Sequence, residues 1–419
     1  MRVGVVGAGI TGLALTHYLA ERGIDSVTLE ADAEPGGVIR SDRVGGVVVE
    51  RGPQRTRLTP AIADLVEVAD LADAVIEAEQ LPLYVYADGG LGEVPFDRRT
   101  FLGTDLLTWR GKARLLAEPL TRAGRGEESI EGVFRRKFGD EAYRNVFGPL
   151  YGGIYGSDPG EMPARHALSG LLEAEAETHS LLRAFLQRVG GGRQFPPASF
   201  DEGLQQLPRG LADRYADRIR LGTPVGGIEA LDHGFRLQTP EGGADVDHVV
   251  LTAAAPAAAA LIETVGSGAE ALRDLTYNRL ALVYLESAFD RPGLGYQVGY
   301  AEDLHTLGVS WNAQMFGRDG LYTAFLGGMH DPDVLEMDDD ALGEVAAREF
   351  EQVTGAAASV RAVHRLDRGF PAWDRTWDGL DRVETPPGVW LATNYAGRMG
   401  IPSRVREAAS LAETLDARR

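Results

Sequence analysis

The stretch of sequence that decides the fold lies at the N-terminus, where residues 2–12 read RVGVVGAGITG. Residues 2–6 form a short β-prone run, and apolar residues then recur at helical spacing as far as Gly23. A second β-prone run over residues 26–29 ends at Glu30. A strand, a tight glycine turn, a helix and a second strand with a terminal carboxylate form the opening of a dinucleotide-binding βαβ unit.

The glycines and the acid of this unit have separate predicted roles. Gly7 makes the tight turn, and Gly9 allows the backbone to approach a pyrophosphate. Gly12 allows the helix to pack closely on the strand, and the N-terminus of that helix faces the phosphates. The Glu30 carboxylate accepts hydrogen bonds from the adenosine ribose. The unit itself does not indicate which dinucleotide binds.

Length and composition exclude several classes of protein. A chain of 419 residues predicts two or three domains. Without cysteine there is no disulfide, no Cys-ligated metal and no thiol nucleophile. The chain has 42 basic and 62 acidic residues, and its net charge of −20 argues against a nucleic-acid partner. We find no apolar run long enough to span a membrane and no signal-peptide pattern, so we expect a soluble cytoplasmic protein.

The basic residues are almost all arginine, with Lys112 and Lys137 as the only lysines. A lysine-poor, acid-rich surface predicts a halophilic protein, because hydrated carboxylates and mutual repulsion maintain solubility in concentrated salt. The alternative is a GC-rich genome that encodes Arg in place of Lys. If the halophilic interpretation is right, unfolding midpoints should rise between about 0.1 M and several molar KCl, as salt screens the carboxylates. Midpoints that stay flat or fall would favour the codon-bias explanation.

Motifs for other catalytic chemistry are missing from the sequence. The eight histidines include no i, i+4 pair, and neither a G-x-S-x-G elbow nor a P-loop occurs. Residues 338–340 are three aspartates before an amphipathic stretch, which predicts a helix N-cap rather than a metal site. We therefore predict no metal site and no catalytic dyad. A bound flavin, which itself carries hydride chemistry, is consistent with this absence.

Beyond the glycine loop, the chain resembles the flavin-dependent protoporphyrinogen and coproporphyrinogen oxidases, within the FAD amine-oxidase-like superfamily, over almost its whole length. The motifs that carry the resemblance are the glycine pair Gly36–Gly37, the E-x-G-P turn Glu50–Pro53, the hairpin Gly89–Pro95, the segment Phe147–Pro159, the F-x-G-G-L-like run Phe200–Leu204 and the C-terminal run Gly397–Pro402. The glycine pair alone is also compatible with a simple β-turn. The segment Phe147–Pro159 is the most specific, because monoamine oxidases do not share it.

The resemblance implies FAD as the cofactor and assigns a set of residues to it. Those residues are Gly7, Ala8, Gly9, Ile10, Thr11 and Gly12 at the pyrophosphate, Glu30 and Ala31 at the ribose, Gly37, Val38, Gly52 and Pro53 near the phosphates and flavin ring, Val225 at the adenine, and Trp377, Met399, Gly400 and Ile401 along the isoalloxazine and ribityl side. Trp373 is an equally good candidate for the role of Trp377, and either tryptophan is also compatible with ordinary core packing.

The resemblance also implies the architecture, an α/β fold with an α+β substrate part. A discontinuous Rossmann-like FAD-binding domain would combine residues 1–55, 200–260 and 375–419. A mixed-sheet substrate domain would combine residues 56–79 and 261–374. Residues 80–199 would form a helical domain, which in relatives sits at a membrane surface. The basic stripe Arg135–Lys137 could make weak peripheral contact with anionic lipid, although a solvated helix face is the stronger interpretation.

The implied activity is the oxidation of protoporphyrinogen IX or coproporphyrinogen III to the porphyrin, within haem biosynthesis, with O2 or another electron acceptor. The alternatives are an FAD enzyme acting on a carotenoid or an amine, and a tetrapyrrole-binding flavoprotein without turnover. The substrate carries carboxylates, and the resemblance places a substrate-binding arginine at Arg99. Arg55 and Arg57 are weaker candidates for that role, and surface charge is the alternative for Arg99.

Overall fold

The computed structural model describes residues 1–122, 124, 127–183, 195–396 and 399–419. Its strands are β1 (Arg2–Val6), β2 (Asp25–Leu29), β3 (Ser41–Val44), β4 (Val47–Glu50), β5 (Thr56–Arg57), β6 (Val75–Glu77), β7 (Leu83–Ala87), β8 (Gly90–Glu93), β9 (Pro197–Phe200), β10 (Ile219–Arg220), β11 (Gly227–Ala230), β12 (Phe235–Thr239), β13 (Gly242–Val246), β14 (His248–Leu251), β15 (Tyr277–Ser287), β16 (Gly295–Val298), β17 (Thr306–Ser310), β18 (Leu321–Gly327), β19 (Ala358–Pro371) and β20 (Val389–Leu391).

The α-helices span Ile10–Glu21, Pro60–Val68, Arg98–Gly103, Trp109–Leu116, Ile130–Phe138, Asp140–Ala142, Gly148–Tyr155, Ala164–Ala167, Ser169–Thr178, Gln206–Arg214, Ala255–Glu263, Asn312–Phe316, Asp339–Thr354 and Ile401–Asp416. Short 3₁₀ helices occur at Ala72–Ala74, Glu118–Leu120, Glu270–Leu272, Pro332–Glu336 and Arg375–Arg382, and a π-helical turn at Tyr143–Phe147. No helix within the described ranges is both long enough and apolar enough to cross a membrane.

A five-stranded parallel sheet in the order β10-β2-β1-β14-β20 carries the predicted dinucleotide unit. Its central strands are runs of buried valine and leucine, as expected for a parallel sheet covered on both faces. On one face lie the first helix, Ile10–Glu21, and the last helix, Ile401–Asp416, which also contact each other. On the other face lie the sheet β11-β12-β13 and the helix Ala255–Glu263. The predicted α/β fold is confirmed.

A seven-stranded mixed sheet in the order β19-β15-β18-β17-β16-β7-β8 forms the second large layer. Its neighbours pair antiparallel except for β16 and β7, which pair parallel. One face packs on the helix Asp339–Thr354 around the buried side chains of Trp311, Tyr322 and Phe350. Asp338 caps this helix by accepting a hydrogen bond from the Ala341 N–H at 2.8 Å, which confirms the predicted N-cap.

The helices between residues 98 and 178 are held by a buried ion-pair cluster. The Lys137 ammonium group is fully buried and lies 3.1 Å from a Glu118 carboxylate oxygen and 2.7 Å from one of Glu175. Arg136 pairs with Glu128 at 2.7 Å, so two members of the predicted basic stripe are committed to internal carboxylates. Because the Lys137 side chain is buried, residues 135–137 do not form one continuous basic surface.

The packing of two segments suggests different boundaries for the predicted domains. The strands β7 and β8 extend the seven-stranded sheet, although the sequence interpretation assigned them to the helical domain. The helix Pro60–Val68 packs in the same apolar cluster as β1, through Ile62, Leu65 and Val66. We propose that the helical domain begins after Glu93 and that residues 60–68 belong with the FAD-binding domain.

Candidate functional site

A cavity of about 1120 Å³ lies between the parallel sheet and the seven-stranded sheet. It is lined by the turns at residues 32–42 and 51–55, the helix end at residues 153–156, strands of the mixed sheet, Gln205 and Arg209 at the start of a further helix, Asn394, and the loop at residues 399–401. Of the residues predicted from sequence, it is lined by Gly37, Val38, Gly52, Pro53, Met399, Gly400 and Ile401. Residues 397 and 398 of the C-terminal motif lie outside the described ranges.

The glycine loop and the second glycine motif lie against each other at one end of this cavity. The Gly36 N–H donates to the Ala8 carbonyl at 2.8 Å, and Gly9 and Gly36 form an isolated parallel bridge. Gly12 packs so closely that a Cβ there would collide with the Gly7 carbonyl oxygen. By contrast, a Cβ on Gly9 would meet no protein atom within 4 Å. The glycine loop therefore packs tightly against the protein at Gly12 and has free space beside Gly9.

The first helix leaves its N-terminal N–H groups available to an anion. Gly9 is its N-cap residue and provides no side-chain hydrogen bond, and no acidic residue occupies the first turn. Helix N-termini without a side-chain cap present unsatisfied N–H groups and a partial positive charge. The C-terminal helix also has a glycine N-cap, Gly400, which lines the cavity, but Pro402 in its first turn has no N–H and the Ser403 N–H already donates to the Gly400 carbonyl. The N-terminus of the first helix therefore suits the phosphates of a dinucleotide.

Glu30 stands at the carboxyl end of β2, next to the glycine loop. One carboxylate oxygen accepts a hydrogen bond from the Ala8 N–H at 2.6 Å, and the other accepts one from the Asp32 N–H at 3.0 Å. These two bonds fix the carboxylate at the edge of the loop, and Ala31 beside it is exposed. The Glu30 carbonyl accepts from the Thr223 N–H at 2.7 Å, which brings the segment before Val225 alongside. Val225 itself is half-buried and does not line the large cavity.

The E-x-G-P turn is fastened by the buried Glu50 carboxylate. It accepts hydrogen bonds from Arg318 at 2.8 Å, from the Leu204 N–H at 3.0 Å and from Ser41 at 2.6 Å. The Glu50 carbonyl accepts from the Tyr284 hydroxyl at 2.9 Å. Two residues on, a Cβ at Gly52 would collide with the Val38 carbonyl oxygen. The turn is thus fastened to the mixed sheet through Tyr284 and lies directly on the second glycine motif.

These residues fit FAD. The open side of Gly9, the N-terminus of the first helix and the Glu30 carboxylate match the pyrophosphate and ribose of a dinucleotide. Residues 7–12 and Glu30 do not themselves line the large cavity, but the loop contacts the second glycine motif, and from Gly37 the cavity extends past Gly52 and Pro53 to the loop at residues 399–401.

The opposite half of the cavity is formed by the helix Gly148–Tyr155 and the mixed sheet. Gly153, Ile154, Tyr155 and Gly156 line it, together with an apolar wall of Leu280, Leu294, Leu307, Phe325, Leu366 and Phe370. A Cβ at Gly152 would collide with the Tyr300 hydroxyl, and one at Gly153 with the Gln297 amide oxygen. The glycines of the most specific motif therefore allow this helix to rest directly on the sheet.

Arg99 lies outside this cavity. It is exposed on the short helix Arg98–Gly103, which begins with a capping box between Asp97 and Thr100. The Asp97 carboxylate accepts a hydrogen bond from the Thr100 N–H at 2.8 Å, which sets where the helix begins. Arg99 is among neither the residues that line the large cavity nor those in an ion pair of the described chain. Its substrate-binding role stays a prediction.

Trp377 also lies away from the large cavity. It lines a separate cavity of about 550 Å³, and its indole N–H donates to the Ala372 carbonyl at 2.7 Å. Trp373 lines that second cavity too, and it stacks on Tyr155 with ring centroids 4.6 Å apart. Tyr155 lines the large cavity, so the Tyr155 ring separates Trp373 from it. Trp377 contacts Trp373 edge to face and lies farther from the large cavity.

Sequence reasoning did not single out the polar residues that β19 contributes. His364, Arg365, Asp367 and Arg368 all line the large cavity. Burial lowers the pKa of His364, with the Arg51 charge as a second cause. Every residue from 364 to 370 lines the cavity, so no alternation along this strand marked them in the sequence.

Comparisons with known proteins show which sequences this chain resembles. The sequence profile described as flavin containing amine oxidoreductase matches residues 10–369. The chain is 24% identical to protoporphyrinogen oxidase 2, chloroplastic/mitochondrial, of Arabidopsis thaliana, over 98% of this chain and 93% of that protein. It is 29% identical to the coproporphyrinogen III oxidase of Staphylococcus aureus, over 50% of this chain and 49% of that protein.

The fold is also found among solved structures. A protein of Exiguobacterium sp. 255-15, provisionally named protoporphyrinogen oxidase, aligns with a TM-score of 0.81. The alignment covers 100% of this chain and 99% of that one, at 24% sequence identity. This similarity shows that the two chains share a fold.

Proposed function

The chain belongs to the flavin-containing amine oxidoreductase family and is an FAD-dependent oxidoreductase, and on that premise we propose that it oxidises a porphyrinogen to the porphyrin. The observation that carries the proposal is the position of Gly153–Gly156. This part of the motif that resembles the porphyrinogen oxidases lines the same cavity as the turn at Gly52 and Pro53. Protoporphyrinogen IX and coproporphyrinogen III both remain candidate substrates.

The chemistry of the cavity supports a large, largely apolar substrate with anionic groups. Its inner wall is built from leucine, isoleucine and phenylalanine side chains, which suit the faces of a macrocycle. Arginines line the cavity at positions 40, 51, 55, 209, 365 and 368, and acidic residues line it at positions 32, 34, 42 and 367. The cationic side chains outnumber the carboxylates in a chain that is strongly acidic overall, and an arginine left without a partner can bind a carboxylate of the substrate.

FAD, when bound, supplies the hydride acceptor for each of the three two-electron steps that convert a porphyrinogen to a porphyrin. The protein binds the dinucleotide at the Gly7–Gly12 loop and Glu30. The apolar wall holds the macrocycle and excludes water around it, so that a saturated bridge carbon is held in a reactive orientation. Protons on the pyrrole nitrogens can leave to water, and no described side chain has to act as a general base. We propose O2 as the electron acceptor, reduced to hydrogen peroxide.

We expect the purified protein to be yellow and to convert at least one porphyrinogen to its fluorescent porphyrin. Mixing it with protoporphyrinogen IX or coproporphyrinogen III in air should produce three molecules of hydrogen peroxide per porphyrin, since six electrons leave in pairs. Buffer with free FAD is the control for spontaneous oxidation. Without oxygen, the porphyrinogen should bleach the flavin absorbance.

Other results would overturn the proposal in distinct ways. Porphyrinogen that binds without bleaching the flavin would indicate a carrier without turnover. Bleaching by an amine or a carotenoid, but by neither porphyrinogen, would indicate another substrate class. A colourless protein that FAD does not reconstitute would contradict the cofactor assignment itself.

A further inference from the structure

We propose that Arg55 binds a carboxylate of the substrate at the floor of the large cavity, an inference that rests on the proposed porphyrinogen oxidase function. Arg55 follows the E-x-G-P turn by two residues and lines the cavity. It is partly exposed, although protein surrounds the guanidinium on its other sides. An anionic ligand can therefore reach this cation through the cavity.

Arg55 has no acidic partner among the described residues. Its one recorded hydrogen bond runs to the thioether sulfur of Met315, at 3.7 Å, which is a weak acceptor. Desolvation, followed by repulsion from the Arg57 charge, lowers the pKa of Arg55 to about 10. A group with that pKa is still a full cation at pH 7, and no carboxylate offsets the cost of desolvating it.

Most of the other arginines along the cavity differ in this respect. Arg40 pairs with Asp32 at 3.0 Å, Arg209 with Glu34 at 2.9 Å, Arg51 with Asp42 at 3.8 Å and Arg365 with Asp339 at 2.7 Å. Arg368 is also without an ion pair in the described chain, but it is exposed, whereas Arg55 is half-buried. Among the arginines that line the cavity, Arg55 alone combines a half-buried side chain with an uncompensated charge.

The guanidinium group of Arg55 favours a carboxylate as its ligand. Its planar fork binds a carboxylate through two parallel hydrogen bonds, and pairing a desolvated cation removes the cost of leaving it alone. The porphyrinogens of the proposed reaction carry two or four carboxylates. A carboxylate held at Arg55 fixes the macrocycle beside Gly52 and Pro53 and against the apolar wall. The other anion within reach of this floor is the cofactor, and the experiment separates the two.

The test compares Arg55→Met, which keeps an unbranched apolar side chain but removes the charge, with Arg348→Met as the control, because Arg348 is exposed on the helix Asp339–Thr354 and does not line the cavity. Each variant is assayed with coproporphyrinogen III and with its uncharged tetramethyl ester, in the same detergent-containing buffer. Arg55→Met should lower kcat/KM for the acid by about 30- to 1,000-fold and leave the ester almost unchanged. Arg348→Met should change neither value. Arg55→Lys, which retains the charge without the fork, should retain more activity than Arg55→Met.

Two measurements beside activity accompany the assay: FAD content, and the dissociation constant of the stable product coproporphyrin III. FAD content should be equal in all variants, whereas product binding should weaken in Arg55→Met alone. An equal loss of activity on acid and ester, a loss of FAD, or the same selective loss in Arg348→Met would each overturn the assignment to Arg55. If only the Arg55 assignment is wrong, the wild-type protein still oxidises porphyrinogens. A wild-type protein inactive on both would overturn the proposed function and this assignment with it.

Discussion

A Gly9→Val variant is expected to fold normally and to lose FAD. Gly9 has φ −70° and ψ 174°, an extended conformation that valine adopts without strain. A Cβ at this position meets no protein atom within 4 Å, so the substitution causes no internal clash. The branched side chain would instead fill the open side of the loop, where the pyrophosphate lies against the backbone N–H groups. Losing several such charge-assisted hydrogen bonds should weaken FAD binding at least about 100-fold.

The measurement is flavin content after purification, followed by titration of the apoprotein with FAD, with circular dichroism as the test of folding. Gly90→Val is the control, because Gly90 is an exposed strand residue whose Cβ would also meet no atom within 4 Å. Gly12→Ala should fail differently, by misfolding, since its Cβ would strike the Gly7 carbonyl. Full FAD occupancy in Gly9→Val would show that the cofactor does not lie across this loop.

The parts of the site that could be predicted from the sequence are those that the local backbone determines. The glycine loop and the glycine pair Gly36–Gly37 need positive φ angles, and the E-x-G-P turn needs a close backbone contact at Gly52 that only glycine allows. Gly7 and Gly37, for example, have φ values of 110° and 59°. Such requirements are visible in a short stretch of sequence. The family resemblance added the order of the segments around the cavity.

The parts that could not be predicted depend on contacts between distant segments. Lys137 was read as part of an exposed stripe, yet the carboxylates of Glu118 and Glu175 hold it in the interior. Nothing local to Lys137 reports these partners. The same is true of Arg55, whose lack of an acidic partner becomes visible only in three dimensions.

The second large effect is expected at Glu50, which joins the E-x-G-P turn to the rest of the protein. Its carboxylate is almost fully buried and lies 2.8 Å from Arg318, whose side chain is 6% exposed. Glu50→Gln keeps the shape but leaves the Arg318 charge in the interior without a counter-charge. Breaking a buried pair in this way costs about 3–5 kcal/mol of unfolding free energy. We expect a clearly lower urea midpoint in the apoprotein, where bound cofactor cannot mask the change.

The matched control is Glu202→Gln, since Glu202 pairs with Arg43 on the surface and both side chains are about half exposed. Exposed pairs of this kind contribute less than about 1 kcal/mol, so that midpoint should barely move. A double variant, Glu50→Gln with Arg318→Met, removes the stranded charge and should recover part of the lost stability. FAD affinity should also fall in Glu50→Gln, because the same carboxylate orders the turn that carries Gly52 and Pro53. Equal urea midpoints for Glu50→Gln and Glu202→Gln would show that the turn holds its place without the buried pair.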